Sequence, residues 1–294
     1  MTTTRDKKFV LVTGCSEGGL GHALAKAFVA EGCHVFATVR DTAKAASLAS
    51  DDNITVLPLE VTSSESIEAC LAGVRQATKG RLDILVNNAG VGLVMPLLDT
   101  SIDEARRLFD VNVWGMLAIT QAFAPLLLQA RGAILNISSI AGAVRMAWQG
   151  AYNSSKASVT FLSETLRIEL EPLGIRVMTA MVGEVDTGFY TRVAFCLPER
   201  SHYKRVQEFV RKQSCGELQT NNEPAQVTAR NLARDVLSGR RGQVWRGGVA
   251  GTAKYALWLL PTRLFEWLLH TGRGVNQLRL EVVDGEQEAP LPRT

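Results

Sequence analysis

Residues Phe9 to Gly21 read F-V-L-V-T-G-C-S-E-G-G-L-G. A short apolar run ends in a glycine cluster. Beyond the cluster Leu20, Leu24, Ala27 and Phe28 recur at helical spacing until Gly32. An apolar run of this length bounded by a turn suits a strand buried on both faces. The stretch predicts a strand over Phe9–Thr13, a tight turn, and a helix over Leu20–Ala30. Glycines in such a turn let the main chain approach a pyrophosphate, and the first N–H groups of the helix face it with a partial positive charge. Gly14, Ser16, Gly19, Leu20 and Gly21 are the candidate phosphate-side residues. An ordinary glycine-rich turn is the competing reading. The strand–turn–helix setting favours phosphate.

Outward from this unit, strands and helices alternate. Cys33–Val39, Ile54–Leu59, Leu82–Val86, Ala133–Ser138 and Ile175–Met181 read as strands. Thr42–Ala49, Ser64–Thr78 with Ser64 as its cap, Ile102–Gln129 with a bend at Pro125, and Ala151–Leu170 read as helices. This rhythm implies an α/β fold: a doubly wound parallel sheet with right-handed crossovers. After Met181 the rhythm breaks. Residues 183–223 are polar, irregular and too long for an idle loop, so they are expected to hold short helices and to cover a site. A helix from Glu223–Pro224 to Gly239 and a strand over Gln243–Arg246 then resume the pattern. One domain over 1–294 is expected. It has a core at 9–182, a covering segment at 183–223, a core helix and last strand at 224–248, and an apolar helical extension at 249–282. A frayed tail follows at Val283–Thr294.

The bulk properties exclude several classes. A chain of 294 residues, 46% hydrophobic, can bury a full core. Its net charge of +3 comes from scattered basic residues, so no nucleic-acid stripe is visible. The five cysteines form no C-x-x-C pair, which favours a reducing compartment. The four histidines have no metal-ligand spacing, and no metal is expected. The N-terminus lacks the apolar core of a secretory signal. No uninterrupted apolar run reaches the length of about 18 residues that a membrane span needs.

Four features carry chemistry. Arg40 ends the second strand in A-T-V-R-D, where a dinucleotide fold reads the adenosine ribose; an arginine there suits the 2′-phosphate of NADP, and a surface arginine is the alternative. N-N-A-G, Asn87 to Gly90, follows the fourth strand and suits a backbone passing close to a ligand, though a plain turn has the same composition. Asn112, in D-V-N-V-W-G, is either a satisfied interior amide or a working residue. Tyr152 and Lys156 stand four residues apart, on one face of a helix, and Ser139 follows an apolar strand. An ammonium beside a phenol is expected to lower its pKa, normally about 10, by roughly one to three units. Tyr-x-x-x-Lys also occurs by chance in many helices.

In this order the pieces resemble the short-chain dehydrogenase/reductase family over about Phe9 to Arg246: T-G-…-G-x-G, N-N-A-G, V-N-V, and a serine thirteen residues before Y-x-x-x-K. The resemblance implies a Rossmann fold and NADP(H). By it Ser139 hydrogen-bonds the substrate oxygen and Tyr152 is general acid in reduction and general base in oxidation. Lys156 lowers the Tyr152 pKa and holds the nicotinamide ribose, and Asn112 positions a water in a relay with Lys156. Ser138 is secondary. Asn88, Ala89, Gly90, Val185 and Thr187 are implied at the cofactor, with Thr187 on the carboxamide. Glu60 and Val61 are implied near the adenine. Three departures stand out. The glycine turn has one extra residue, so Gly18 or Gly19 could take its middle role. Glu60 replaces an aspartate, and Val182 replaces a proline.

A narrower resemblance, to fungal NADPH-dependent 1-acyldihydroxyacetone phosphate reductases, rests on the glycine turn, on V-W-R-G-G at Val244–Gly248 and on the tryptophan-rich run after it. That branch also includes reductases of natural-product ketones. The function implied is reduction of the ketone of a lipophilic substrate. The alternatives are oxidation of a lipophilic secondary alcohol and a non-redox role as scaffold or cyclisation guide. The Val249–Leu269 stretch has two readings, a surface resting on a membrane or lipid droplet (or walling an apolar pocket), and helices packed on the core or a partner subunit. A homodimer or homotetramer is implied. So is a cytoplasmic location, with peripheral contact on the endoplasmic reticulum or lipid droplets.

Overall fold

A computed structural model describes residues 7–190 and 195–278. Its frame is a seven-stranded, wholly parallel sheet. The strands are β1 (Phe9–Thr13), β2 (His34–Val39), β3 (Ile54–Pro58), β4 (Ile84–Asn87), β5 (Ala133–Ile137), β6 (Arg176–Val182) and β7 (Gly242–Arg246). They lie in the order β3-β2-β1-β4-β5-β6-β7. The order reverses at β1, between β2 and β4, so the crossovers leave to opposite sides there. A crevice opens at the strand carboxyl ends, where such sheets bind ligands.

The strands are apolar on both faces because both faces are covered. Val10 and Val12 pack with Leu24 and Phe28 of α1 (Leu20–Ala30) and with Leu232 and Val236 of α7 (Ala225–Leu237). Leu11, between them, points the other way. It packs with Val74 of α2 (Ser64–Thr78) and with Ile119 and Phe123 of α4 (Gly115–Ala130). This is the two-residue period of a strand. All three β1 residues are fully buried, each side chain stabilising the fold by about 1.5–3 kcal/mol.

Three expectations are corrected. Thr42–Leu48 is a 3-10 segment interrupted at Ala45, not an α-helix. Asp41 caps it through the Ala43 N–H. The cap of α2 is Ser63, whose hydroxyl accepts from the Ser66 N–H, so Ser64 is already helical. The long helix is three pieces: α3 (Ile102–Phe109), a wider π-helical stretch Asp110–Trp114, and α4. The irregular stretch surrounds Asn112, while Pro125 lies inside α4. The whole Ile102–Ala130 segment is long and apolar enough to cross a membrane by length and composition. Its Ile119, Phe123, Leu126 and Leu127 are instead buried against the sheet.

α5 (Gly150–Leu170) carries the tyrosine and lysine. Beyond β6 come α6 (Gln207–Ser214), then α7 and β7, then α8 (Ala250–Leu259) and α9 (Thr262–His270). Residues 191–194 of the expected covering segment, the end of the extension at 279–282 and the tail Val283–Thr294 lie outside the described residues.

Candidate active site

A cavity of ≈ 400 Å³ occupies the crevice. Its nucleotide-facing wall is main chain. Thr13 Oγ1 accepts the N–H groups of Asn88 (3.0 Å) and Ala89 (2.9 Å), and Asn88 Nδ2 donates to the carbonyls of Thr13 (2.8 Å) and Gly14 (3.0 Å). The two turns after β1 and β4 are thereby joined. A Cβ on Gly21 would lie 2.4 Å from both Asn88 Nδ2 and the Gly14 oxygen, so only glycine lets α1 come this close. Gly21 therefore sits behind the wall rather than lining it, and its contribution is the packing.

The extra residue of the glycine turn has a clear place. Gly18 takes the left-handed conformation (φ +71°) with open space around it, and does not line the cavity. Gly19 is the cap residue of α1 and lines it together with Gly14, Ser16 and Leu20. No side chain caps α1, and its first turn holds no acidic residue. Its free N–H groups and dipole therefore remain for an anion. At the far end Arg40 and Glu60 line the cavity with Val61, and their charges stand 3.8 Å apart. The Arg40 side chain is 72% exposed, so this contact holds it weakly. A helix N-terminus, a glycine-walled channel and an arginine at its end fit a phosphorylated dinucleotide.

The other end is built from side chains. Ser139 follows β5; its Oγ accepts the Ala141 N–H at 3.1 Å. Tyr152 and Lys156 project from α5 and are buried. Lys156 Nζ donates to the Ile137 carbonyl at 3.0 Å and lies 6.0 Å from the Tyr152 ring centre. Ser138 is engaged elsewhere. Its hydroxyl donates to the Lys156 carbonyl (3.0 Å) and meets Thr160 Oγ1 (2.7 Å), which ties β5 to α5. Asn112 does not line the cavity. Its Oδ1 accepts the Val91 N–H (2.8 Å), and its Nδ2 donates to the Val91 carbonyl (3.0 Å) and to Ser155 Oγ (3.1 Å). It clamps the loop after N-N-A-G beside the lysine. A Cβ on Gly90 would lie 3.2 Å from Asn112 Oδ1 and 3.5 Å from Lys156 Nζ.

The expected lowering of the tyrosine pKa is not what these residues produce among themselves. Burial raises the Tyr152 phenol, Tyr190 adds to this, and the Ser139 hydrogen bond opposes it. Burial pulls the Lys156 ammonium down to about 8. The lysine is bonded to the Ile137 carbonyl, and burial of the phenol outweighs any lowering of its pKa. The phenol is therefore protonated at neutral pH, poised as a donor.

Asn88, Ala89, Gly90, Val185 and Thr187 also line the cavity. Three lining residues had no signal in the motifs: Phe189, Tyr190 and Gln219. The Phe189 ring stands 5.8 Å from that of Tyr152 and 5.3 Å from that of Tyr190. The aromatic pair Phe189–Tyr190, separated from Thr187 by Gly188 alone, was the available clue for the first two.

This arrangement, a dinucleotide crevice with a buried Ser–Tyr–Lys set at one end, defines an oxidoreductase site in which the protein supplies position and a proton. The family model for short chain dehydrogenases matches residues 8–194. The short-chain dehydrogenase cctT of Talaromyces islandicus is 44% identical over 275 residues, covering 92% of this chain and 97% of the relative. An NADPH-dependent 1-acyldihydroxyacetone phosphate reductase of Schizosaccharomyces pombe is 40% identical over 209 residues, covering 69% and 70%. A solved short-chain dehydrogenase from Streptomyces avermitilis matches with a TM-score of 0.76 and 32% identity, over 92% of this chain and 99% of that one. The chain belongs to the short-chain dehydrogenase family and is an oxidoreductase of the NAD(P)-dependent kind.

Proposed function

We propose that the protein is an NADPH-dependent reductase of a ketone on a lipophilic substrate. The observation that carries the reading is one cavity with Arg40 and the free N-terminus of α1 at one end and Ser139, Tyr152 and Lys156 at the other. The nicotinamide supplies the hydride when bound. Gly14, Ser16, Gly19 and Leu20 would hold the phosphates of the dinucleotide, Asn88, Ala89 and Gly90 would form the nearby main-chain path, and Thr187, with Val185 nearby, would hold the carboxamide. Glu60 and Val61 would meet the adenine, and Arg40 would take the 2′-phosphate. Ser139 holds the carbonyl oxygen. Tyr152 gives that oxygen its proton and Lys156 steadies the phenolate, while Asn112, whose amide is taken up by Val91 and Ser155, acts by clamping the loop beside the lysine rather than by holding a relay water with its side chain. The relative named as an NADPH-dependent reductase supports both cofactor and direction. The decisive screen follows NADPH oxidation by the purified chain with acyl-dihydroxyacetone phosphate, steroid ketones and aromatic polyketide ketones. Turnover of at least one is expected, and NADPH bound with none reduced overturns the reading.

The C-terminal helices bear on where this happens. One side of α8–α9 packs on Ile140 and Val144. The other exposes Trp258 (82%) and Trp267 (66%) with Tyr255 and Leu259, next to Lys254 and Arg263. Aromatic and basic residues together suit a bilayer interface, so peripheral contact of a cytoplasmic protein with a membrane or lipid droplet belongs to the proposal. Co-sedimentation with anionic vesicles that Trp258→Ser and Trp267→Ser abolish supports it; no co-sedimentation of the parent chain refutes it. Exposed Trp114, at the end of the π-helical stretch before α4, and Phe161 on α5 support pairing of subunits, which light scattering reads directly.

A further inference from the structure

A second, smaller chamber of ≈ 40 Å³ adjoins the main cavity. The two share Ser139, Tyr152, Gly183, Tyr190 and Gln219 in their walls, so the chamber opens beside the reacting position. At about 10–15 Å³ of such space per water, it has room for about three waters, or for one small polar group. Arg273, from the turn after α9, reaches into its wall.

Arg273 is held firmly but without a carboxylate. Its Nε donates to the Leu269 carbonyl at 3.0 Å, and its Nη1 donates to Gln213 Oε1. Gln213 Nε2 donates onward to Gln149 Oε1 (3.1 Å), and Gln149 Nε2 to Asn153 Oδ1 (3.1 Å), next to Tyr152 on α5. The Arg273 carbonyl accepts the Trp148 indole N–H at 2.9 Å. The guanidinium is therefore fixed to the helix that carries the tyrosine. Arg273 enters none of the ion pairs among the described residues. The Glu184 carboxylate, also in the chamber wall, instead accepts the Thr220 and Asn221 N–H groups through Oε2 (2.9 and 2.8 Å). Burial lowers the Arg273 pKa, while Glu184 and Tyr190 pull it the other way.

A largely buried guanidinium without a paired anion is costly, and the planar fork of an arginine is shaped for an oxyacid. Its Nη2 makes no hydrogen bond to the described residues. We infer that Arg273 recognises an anionic oxyacid group of the substrate, a carboxylate or a phosphate monoester. That group is attached close to the carbonyl that Ser139 and Tyr152 address. Arg273 is thus the specificity-determining residue of a reductase whose substrate is a keto acid or keto phosphate. This rests on the ketone-reductase reading above.

Four ketones form the test, with NADPH in excess: 2-acetylbenzoic acid against its methyl ester, and dihydroxyacetone phosphate against dihydroxyacetone. The parent chain is expected to prefer the charged member of at least one pair by roughly 10- to 100-fold in kcat/KM, the range of a charge-assisted contact. The pair that shows it identifies carboxylate or phosphate. In Arg273→Met the ratio should fall to within about threefold of one, and in Arg273→Lys to an intermediate value. Equal use of both members by the parent chain, or a ratio that Arg273→Lys and Arg273→Met leave unchanged, overturns the inference. If Arg273→Met does not fold, Arg273→Lys alone decides by the same ratio. If no ketone is turned over, the reductase reading fails separately, and calorimetric titration of the NADPH-loaded protein with 2-acetylbenzoate and with dihydroxyacetone phosphate decides here. Binding of either that weakens at least tenfold in Arg273→Met supports the inference. Binding of neither, or binding that the variant leaves unchanged, refutes it.

Discussion

The two ends of the cavity are made differently. The nucleotide end is main chain: two turns joined by Thr13 and Asn88, a helix with its N–H groups free, and Gly21 where any side chain would push α1 away. The substrate end is side chains brought from far apart. Ser139 comes from just after the end of β5, Tyr152 from α5, Phe189 and Tyr190 from the stretch after β6, Gln219 from beyond α6 and Arg273 from beyond α9. Main chain pinned by the Thr13 and Asn88 side chains tolerates little change, so the first end fixes the cofactor site. At the second end Ser139 and Tyr152 set the reaction, while the side chains around them come from separate segments that can change singly and decide on what it acts.

That contrast can be broken most forcefully at the tyrosine. Tyr152→Phe should lower ketone turnover by about 10²- to 10⁴-fold, the range of general acid–base catalysis, while NADPH affinity measured by fluorescence stays within about threefold. A comparable loss of NADPH affinity would mean the two ends are not separable.

Lys156 gives the next effect, on stability. Its pKa is about 8 in the folded protein and 10.5 as a free side chain. Below pH 8 both states carry the charge and the folded state bears its full burial penalty. Between about pH 8 and 10.5 the unfolded chain binds the extra proton, so folding gains stability as pH rises. Measured by urea unfolding without cofactor, the parent chain should gain up to about 3 kcal/mol relative to Lys156→Met across that window. A flat difference would place the ammonium in water.

Arg40→Ala should reduce the preference for NADPH over NADH by about 10- to 50-fold, since one exposed charge on a phosphate is lost. A preference that survives assigns the phosphate to another residue. The smallest effect is expected at Trp148. This residue holds a left-handed conformation (φ 71°), at a cost of about 1–3 kcal/mol, while its indole ties Arg273 to the start of α5. Trp148→Phe should raise the KM for the ketone about three- to tenfold and leave the NADPH affinity unchanged. An effect on NADPH instead would join what the structure separates.

The same division governs what could be read in the sequence. Gly14, Ser16, Gly19, Asn88 and Arg40 are legible because strand ends and turns place them, and a strand–turn–helix is visible in local pattern. Tyr152 and Lys156 are legible because one helix face sets their relation. Only Gly21 and Asn112, among the residues expected at the site, stand behind the cavity wall, where packing of α1 and the clamp on Val91 hold them. The π-helical stretch at Asn112, the 3-10 segment in alanine-rich Thr42–Leu48 and the cap at Ser63 depend on hydrogen bonds that composition does not display. Arg273 was hidden for a stronger reason: its meaning comes from Gln213, Gln149 and Trp148, which only the folded chain brings beside it.

The fate of the hydride tests the ketone-reductase chemistry most directly. NADPH carrying deuterium at the transferable C4 position is incubated with the purified chain and a ketone that it consumes, and the product alcohol is analysed by mass spectrometry. One deuterium is expected on the carbinol carbon, with the label lost from the cofactor in equal amount and almost no labelled product from Tyr152→Phe. Labelled cofactor recovered intact beside a changed substrate would contradict it.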